Sequence, residues 1–173
     1  MAETHRIRRL TPADLDAYKI LRDTMLAAHP DAFTSDAEIE HRKPAQEYLS
    51  RLGLDRPEGG HFALGASHTQ QLQGAIACER DLRPKVRHIG HIVGMMVSAE
   101  ARGLGLGKAL LDACITEARR AEGLEMLTLS VTTINMAAVR LYERAGFASY
   151  GTLVHAIKLG DKYHNKSLMT LML

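Results

Sequence analysis

Apolar residues recur at every third or fourth position in four stretches of the chain, the spacing that places them on one face of a helix. The strongest stretch carries Leu106, Leu110 and Cys114 along one face and ends at Gly123. The four predicted helices cover residues 12–28, 44–54, 105–122 and 136–145.

Seven other stretches alternate apolar with polar residues or form short apolar runs, which is typical of strands. Two of them flank the polar residues His68, Thr69 and Gln70 and predict a hairpin. The predicted strands cover residues 7–10, 61–67, 71–79, 88–97, 126–131, 147–158 and 167–173. The order β-α-α-β-β-β-α-β-α-β-β predicts one α/β domain over residues 1–173. Its mixed sheet is flanked by helices, antiparallel at first and parallel around residues 105–131.

Composition narrows the class of protein. Hydrophobic residues make up 46% of the 173 residues and charged residues 24%, so a buried core is expected and disorder is not. The net charge of +2 argues against a nucleic-acid-binding protein that works by bulk charge. No apolar run resembles a signal peptide or reaches the roughly 20 residues of a membrane span. Cys78 and Cys114 form no CxxC pair, so we expect buried thiols in a cytoplasmic protein without a membrane partner.

The most informative segment joins the strand that ends at Val97 to the helix predicted from residue 105. Its sequence is VSAEARGLGLGK, in which Gly103, Gly105 and Gly107 alternate with other residues. The first N–H groups of a helix lack helical partners, and glycines allow a phosphate to come close to the backbone. The segment therefore predicts an anion-binding site, with a tight turn that binds no ligand as the alternative.

Arg102 and Lys108 add positive charge to this glycine loop, but two familiar nucleotide-binding motifs do not match it. A Walker A motif, GxxxxGK[ST], would need glycine in place of Arg102 and a hydroxyl residue in place of Ala109. A Rossmann motif needs GxGxxG and an acidic residue about 20 positions later, at the end of the next strand, where this sequence has none. A nucleotide-binding module of either kind is therefore disfavoured.

Two motifs of this sequence resemble those of the N-acetyltransferase superfamily known as GNAT. Arg102, Gly105 and Gly107 match its acetyl-CoA-binding motif R-x-x-G-x-G, which follows a strand. Further along, the stretch NMAAVRLYERAGF, from Asn135 to Phe147, is similar to the family's N-x-x-A-x-x-L-Y-x-x-x-G-F block. The resemblance is close over residues 90–147 and looser from residue 7 onward.

The resemblance implies acetyl-CoA as the acetyl donor, bound by the main chain of the central strand and by the glycine loop. Asn135 matches a position whose side chain contacts this cofactor in the family, and it suits a helix N-cap equally well. The apolar residues of the strand have a similar alternative as core side chains. No metal is expected, because the histidines lack metal-ligand spacing. The residues implied to bind acetyl-CoA are Met95, Met96, Val97, Arg102, Gly103, Leu104, Gly105, Leu106, Gly107, Lys108 and Asn135.

Two side chains are candidates for the proton transfers that the resemblance implies. Tyr142 matches the family's general acid, which protonates the departing CoA thiolate, and it also has the spacing of a core tyrosine. His91 lies where relatives that modify histones carry a catalytic Glu, and the ordinary imidazole pKa near 6.5 suits a base. If the strand alternates regularly, His91 shares a face with Met95 and Val97. A structural histidine is the alternative, and Glu79 or an ordered water molecule is then the candidate for the base.

The resulting hypothesis is an enzyme that transfers an acetyl group from acetyl-CoA directly to a primary amine, on a small molecule or on a peptide or protein N-terminus. The alternative is a non-catalytic acyl-CoA-binding regulator of the same fold. The turn at His29 and residues 33–41 are expected to line the acceptor entrance, and residues 163–166 to form a solvated loop. A homodimer is also an expectation, because dimers are common in the family that the sequence resembles.

Overall fold

The structure, a computed structural model, describes residues 5–68 and 71–173, and these residues form one mixed sheet of seven strands. In chain order the strands are β1 (Arg6–Arg9), β2 (Phe62–His68), β3 (Gln71–Arg80), β4 (Ile89–Val97), β5 (Met126–Thr132), β6 (Ala148–Leu159) and β7 (Lys162–Met172). Across the sheet they lie in the order β1-β2-β3-β4-β5-β7-β6. β4 and β5 are parallel, and the other described neighbours are antiparallel. The predicted mixed α/β fold is confirmed.

Helices cover both faces of this sheet. On one face, Tyr18 belongs to a buried cluster with Ala75 and Met96 of the sheet. On the other face, Leu110 packs in a cluster with Ile76. The described helices are α1 (Leu15–Ala28), α2 (Ala37–His41), α3 (Leu106–Arg119) and α4 (Met136–Arg144), with 3₁₀ helices at Pro12–Asp14, Ala45–Leu52 and Ala99–Ala101. In residues 5–68 and 71–173, no helix has the length and apolar character that crossing a membrane requires.

The region between α1 and β2 differs from the prediction. Residues 45–52 form a 3₁₀ helix rather than the predicted α-helix. The short helix α2 was not predicted, because its five residues carry little periodic signal. The Asp36 carboxylate starts this helix by accepting a hydrogen bond from the Ile39 N–H at 2.9 Å. The turn predicted at Thr69 and Gln70 lies outside the described residues.

The last strand also differs from the prediction. β7 begins at Lys162, so the expected solvated loop at residues 163–166 is wrong. Tyr163 pairs with Lys158 of β6, and Lys166 pairs with both Leu153 of β6 and Thr132 of β5. Main-chain hydrogen bonds hold these polar residues in the sheet, and such bonds do not require apolar side chains.

Arg80, at the end of β3, is a buried cation that joins three loops. Its guanidinium donates hydrogen bonds to the main-chain oxygens of Glu58 (3.0 Å), Gly59 (3.3 Å), Arg87 (2.6 Å) and Glu122 (2.8 Å). The residue is 7% exposed, so water cannot easily replace it. Hydrogen bonds from a charged donor contribute more than neutral ones, and Arg80 therefore stabilises the end of the sheet by joining these loops to it.

We expect Arg80→Met to lower the free energy of unfolding by roughly 3 kcal/mol, because four main-chain carbonyl groups lose their charged donor. Chemical denaturation followed by circular dichroism measures this change. Arg83→Met is the control, since the Arg83 side chain is 79% exposed beside Asp81 and its loss should leave the midpoint nearly unchanged. Equal destabilisation by the two substitutions would contradict the role given to Arg80.

Candidate active site

The site begins where β4 leaves β5. The pairing described for these parallel strands covers residues 89–91 of β4 and 126–128 of β5. Farther along, Gly94 and Met95 together stand opposite Ile76 of β3, which is a β-bulge. Gly94 has a φ of +59°, a conformation that favours glycine, and a Cβ there would lie 3.0 Å from the Arg51 guanidinium. Beyond the bulge, a cavity opens between the two strands.

This cavity has a volume of about 880 Å³, within the usual range of small-molecule sites. Its walls are residues 92–97 of β4, residues 129–132 of β5, the start of α4 and the loop after α1. The turn at His29 and residues 33–35 line it as predicted, whereas residues 36–41 do not. The predicted site residues among its lining are Met95, Met96, Val97, Arg102, Gly103, Gly107, Asn135 and Tyr142. Those outside its lining are His91, Leu104, Gly105, Leu106 and Lys108.

The glycine loop borders the cavity and leads into α3. Gly103 and Gly105 both have a φ of +75°, and a Cβ at either would meet nothing within 4 Å. The loop backbone therefore lies open to a ligand on its outer side. Gly105 is the N-cap of α3, and the first N–H groups of a helix carry partial positive charge. Together with the Arg102 guanidinium, which contacts the imidazole of His29, this backbone suits a phosphate or pyrophosphate.

Three side chains of the loop point away from the cavity. Leu106 is 2% exposed and packs in the core, while Leu104 is exposed to solvent. Lys108 pairs with Asp112 at 2.5 Å on the outer surface of α3. At these three positions only the main chain of the loop faces a ligand. A role of Leu104, Leu106 and Lys108 in cofactor binding stays a prediction.

Asn135 has the structural role that the sequence left open. Its side-chain oxygen accepts a hydrogen bond from the Ala138 N–H at 3.2 Å, so it caps the start of α4. The residue also lines the cavity, and its amide nitrogen is a further donor there. The cap is observed, and the contact with cofactor stays a prediction.

Tyr142 lies on α4 with its hydroxyl group at the cavity. The hydroxyl donates a hydrogen bond to Met95 Sδ at 3.3 Å, and the ring packs edge-on against Phe147. Burial raises the pKa of Tyr142 to about 12. The phenol therefore stays protonated near neutral pH, as a hydrogen-bond donor must.

The two predicted bases lie beside the cavity and not in its lining. His91 is exposed on β4, where its Nδ1 shares a 2.6 Å hydrogen bond with Thr128 Oγ1 of β5. Glu79 forms an ion pair with Arg51 at 3.2 Å. Arg51 itself lines the cavity and donates a hydrogen bond to the Tyr18 hydroxyl at 2.9 Å. The carboxylate of Glu79 is thus one residue removed from the space that a substrate would fill.

The expectation that His91 shares a face with Met95 and Val97 is wrong. Met95 and Val97 pack on the side of α3, whereas Met96 packs on the side of α1. The bulge inserts one residue into β4, and an inserted residue reverses the alternation of side chains. His91 is therefore on the face of Met96.

Glu40 anchors the segment between α1 and the 3₁₀ helix at residues 45–52. Its buried carboxylate accepts hydrogen bonds from Arg22 (3.0 Å), Tyr48 (2.7 Å) and Lys43 (2.5 Å). Burial opposes ionisation, but these donors lower the pKa of Glu40 to about 2. Arg22 also donates to Ser35 Oγ at 3.0 Å, so the ionised carboxylate helps to hold the loop along the cavity wall.

The sequence did not predict three of the positive side chains in the cavity. Arg22, Arg51 and Lys166 line it, and they come from α1, the 3₁₀ helix and β7. No local motif marks any of the three, because each reaches the site through tertiary contacts.

The two cysteines are buried, as the sequence predicts. Cys78 and Cys114 are free and buried, and burial raises the pKa of both thiols, that of Cys78 to about 12. A thiol that resists ionisation is a poor nucleophile. Within the described parts of the chain, no group of three or more His, Cys, Asp or Glu side chains is placed to hold a metal ion.

Comparison with known proteins places this geometry in a family. Residues 17–147 match the family described as Acetyltransferase (GNAT) family. A mycothiol acetyltransferase of Salinispora tropica is 33% identical over 143 residues, which cover 83% of this chain and 44% of that protein. The chain thus spans less than half the length of that relative.

Solved structures share the fold. The crystal structure of a GNAT-family acetyltransferase from Streptococcus pneumoniae has a TM-score of 0.86 and 26% identity, covering 98% of this chain and all of the other. The yncA protein of Salmonella typhimurium, solved with its cofactor acetyl-CoA, has a TM-score of 0.83 and 19% identity, covering 98% and 94% of the two chains. Because the family match extends over residues 17–147, this chain belongs to the GNAT acetyltransferase family.

Proposed function

We propose that this chain transfers an acetyl group from acetyl-CoA to the primary amine of a small molecule or of a peptide or protein N-terminus. The observation that carries the proposal is the cavity at the parting of β4 and β5, around which the glycine loop, Tyr142 and the loop after α1 are gathered. Membership of the acetyltransferase family supports acetyl-CoA as the donor. A cytoplasmic location and a homodimer stay predictions.

The glycine loop fits the pyrophosphate of acetyl-CoA, and the free side of β4 fits the rest of the molecule. Residues up to Val97 keep pairing with β3 on one side, while the described pairing with β5 stops at His91. Main-chain N–H and C=O groups on the β5 side therefore need other partners. The amides of an extended pantetheine arm supply them as an added strand would.

The proposed reaction needs no covalent enzyme intermediate. The amine nitrogen attacks the thioester carbonyl carbon, and main-chain N–H groups of β4 stabilise the oxyanion that forms. The C–S bond then breaks as the amide forms; the nitrogen loses one proton and the sulfur gains one. The raised thiol pKa of Cys78 and Cys114 supports this direct route over an acyl-enzyme.

Tyr142 is the proposed donor to the departing sulfur. With a pKa of about 12, its phenol is a weaker acid than an ordinary thiol, whose pKa is about 8.5. Complete loss of its proton to the thiolate is therefore uphill. We expect Tyr142 to act mainly through a hydrogen bond that strengthens as negative charge develops on sulfur.

We expect Tyr142→Phe to lower turnover by roughly 10²-fold, because the departing sulfur loses its donor while the ring packing is kept. Release of CoA thiol in the presence of mixed amines measures turnover, and calorimetry measures acetyl-CoA affinity, which should change little. Tyr150→Phe on β6 is the control, since that side chain is exposed and lies outside the cavity lining.

Turnover within about twofold of the parent would make Tyr142 a packing residue. If the parent chain binds acetyl-CoA yet releases no CoA above hydrolysis with any amine, the non-catalytic regulator replaces the enzyme.

The group that takes the proton of the amine is tested by the pH dependence of kcat/KM. In a pH profile of the parent, a fall in kcat/KM on acidification between about pH 6 and 7 would be the acidic limb of a histidine base. We expect His91→Ala to show the same acidic limb as the parent, because His91 lies outside the cavity lining and bonds to Thr128. His91→Gln, which retains a hydrogen-bonding side chain, is the matched variant. Loss of the limb in both folded variants would restore His91 as the base.

A further inference from the structure

Lys166 lies in the cavity wall on a part of β7 that no motif marks. Its Nζ donates a hydrogen bond to Thr34 Oγ1 at 2.6 Å, joining β7 to the loop after α1. In the sheet, Lys166 stands opposite Thr132 of β5, which lines the same cavity. The ammonium group is therefore held at the cavity rather than free on the protein surface.

Lys166 differs from two other cations of the cavity. Arg22 has the carboxylate of Glu40 at 3.0 Å, and Arg51 has that of Glu79 at 3.2 Å. In the described ranges of the chain, Lys166 has no carboxylate partner, and burial lowers its pKa. A half-buried cation without a counter-charge is costly, and an anion bound beside it would offset that cost.

Lys166 and the site proposed for the phosphates of acetyl-CoA meet different residues of the loop after α1. Arg102 of the glycine loop contacts His29 at the start of that loop, whereas Lys166 contacts Thr34 farther along it. The phosphates have their own donors in the loop backbone and Arg102. Lys166 is thus assigned to the acceptor end of the cavity.

We propose that the acceptor carries a carboxylate or similar oxyanion in addition to its amine, and that Lys166 and Thr34 bind this group. The inference rests on the proposed acetyl transfer. An ammonium and a hydroxyl group are both donors to a carboxylate. Asp31, the one acidic side chain among the described lining residues, suits the amine end of the same molecule. A free amino acid combines the two groups in one small molecule.

The test compares amino acids supplied as free acids with the same amino acids supplied as carboxamides, which keep the amine and lose the carboxylate. For each pair that is acetylated, we expect kcat/KM to be at least about tenfold higher for the free acid. Lys166→Met keeps the apolar stem and removes the charge, so the two forms should come within about twofold of each other. Lys166→Arg should retain the preference.

The matched control is Lys162→Met, an exposed lysine of the same strand outside the cavity lining, which should also retain the preference. A preference for carboxamides, or one unchanged in Lys166→Met, overturns the inference and leaves acetyl transfer intact. A weaker acetyl-CoA affinity in Lys166→Met, measured by calorimetry, would assign Lys166 to the donor and overturn it as well. If other amines are acetylated but no amino acid is, either as free acid or as carboxamide, the inference is likewise overturned and acetyl transfer stands. CoA release that no amine raises above hydrolysis contradicts the proposed function itself.

Discussion

β4 has to remain paired with β3 and at the same time leave β5, and the bulge at Gly94 meets both requirements. One extra residue, at a glycine with a φ of +59°, bends the strand, while pairing resumes between Met96 and Ala75. The main chain on the β5 side is thereby freed from the sheet without leaving the rest of it. The same insertion decides which side chains meet the opening, because it turns Met95 toward Tyr142 and leaves His91 on the other face.

The charges around the opening depend on contacts between distant parts of the chain. The buried carboxylate of Glu40 balances Arg22, and Glu79 balances Arg51. In each pair the carboxylate neutralises the cation and holds it at the cavity wall. Such pairs make the wall rigid but leave little net charge there to attract a bound anion. Two cations of the lining have no such carboxylate among the described residues: Arg102, which is assigned to the phosphates, and Lys166, whose charge a bound acceptor would meet. The preference proposed for an acceptor with a carboxylate depends on Lys166 having no carboxylate partner among the described residues, and not on how many positive side chains line the cavity.

Local signals made part of the site predictable. Three alternating glycines next to a strongly periodic apolar pattern predict the glycine loop and α3, and the contiguous block at residues 135–147 carries the family resemblance that points to Tyr142 and Asn135. The bulge left no such signal, since Gly94 stands inside an apolar run that reads as a regular strand. A regular strand would place His91 on the face of Met95, whereas the bulge places it on the face of Met96. The sequence does not indicate Lys166, because its partner Thr34 lies 132 positions away and a polar stretch without alternating apolar residues is typical of a loop.

Acetyl-CoA is proposed to lie along the free side of β4 and over the glycine loop. Hydrogen exchange followed by mass spectrometry, with and without saturating acetyl-CoA, tests this placement directly, because each main-chain N–H that gains a partner exchanges more slowly. We expect slower exchange at residues 94–97 and 103–108, with little change in β1, β2 and the 3₁₀ helix at residues 45–52. Slower exchange confined to other segments, or none despite saturation, would contradict it.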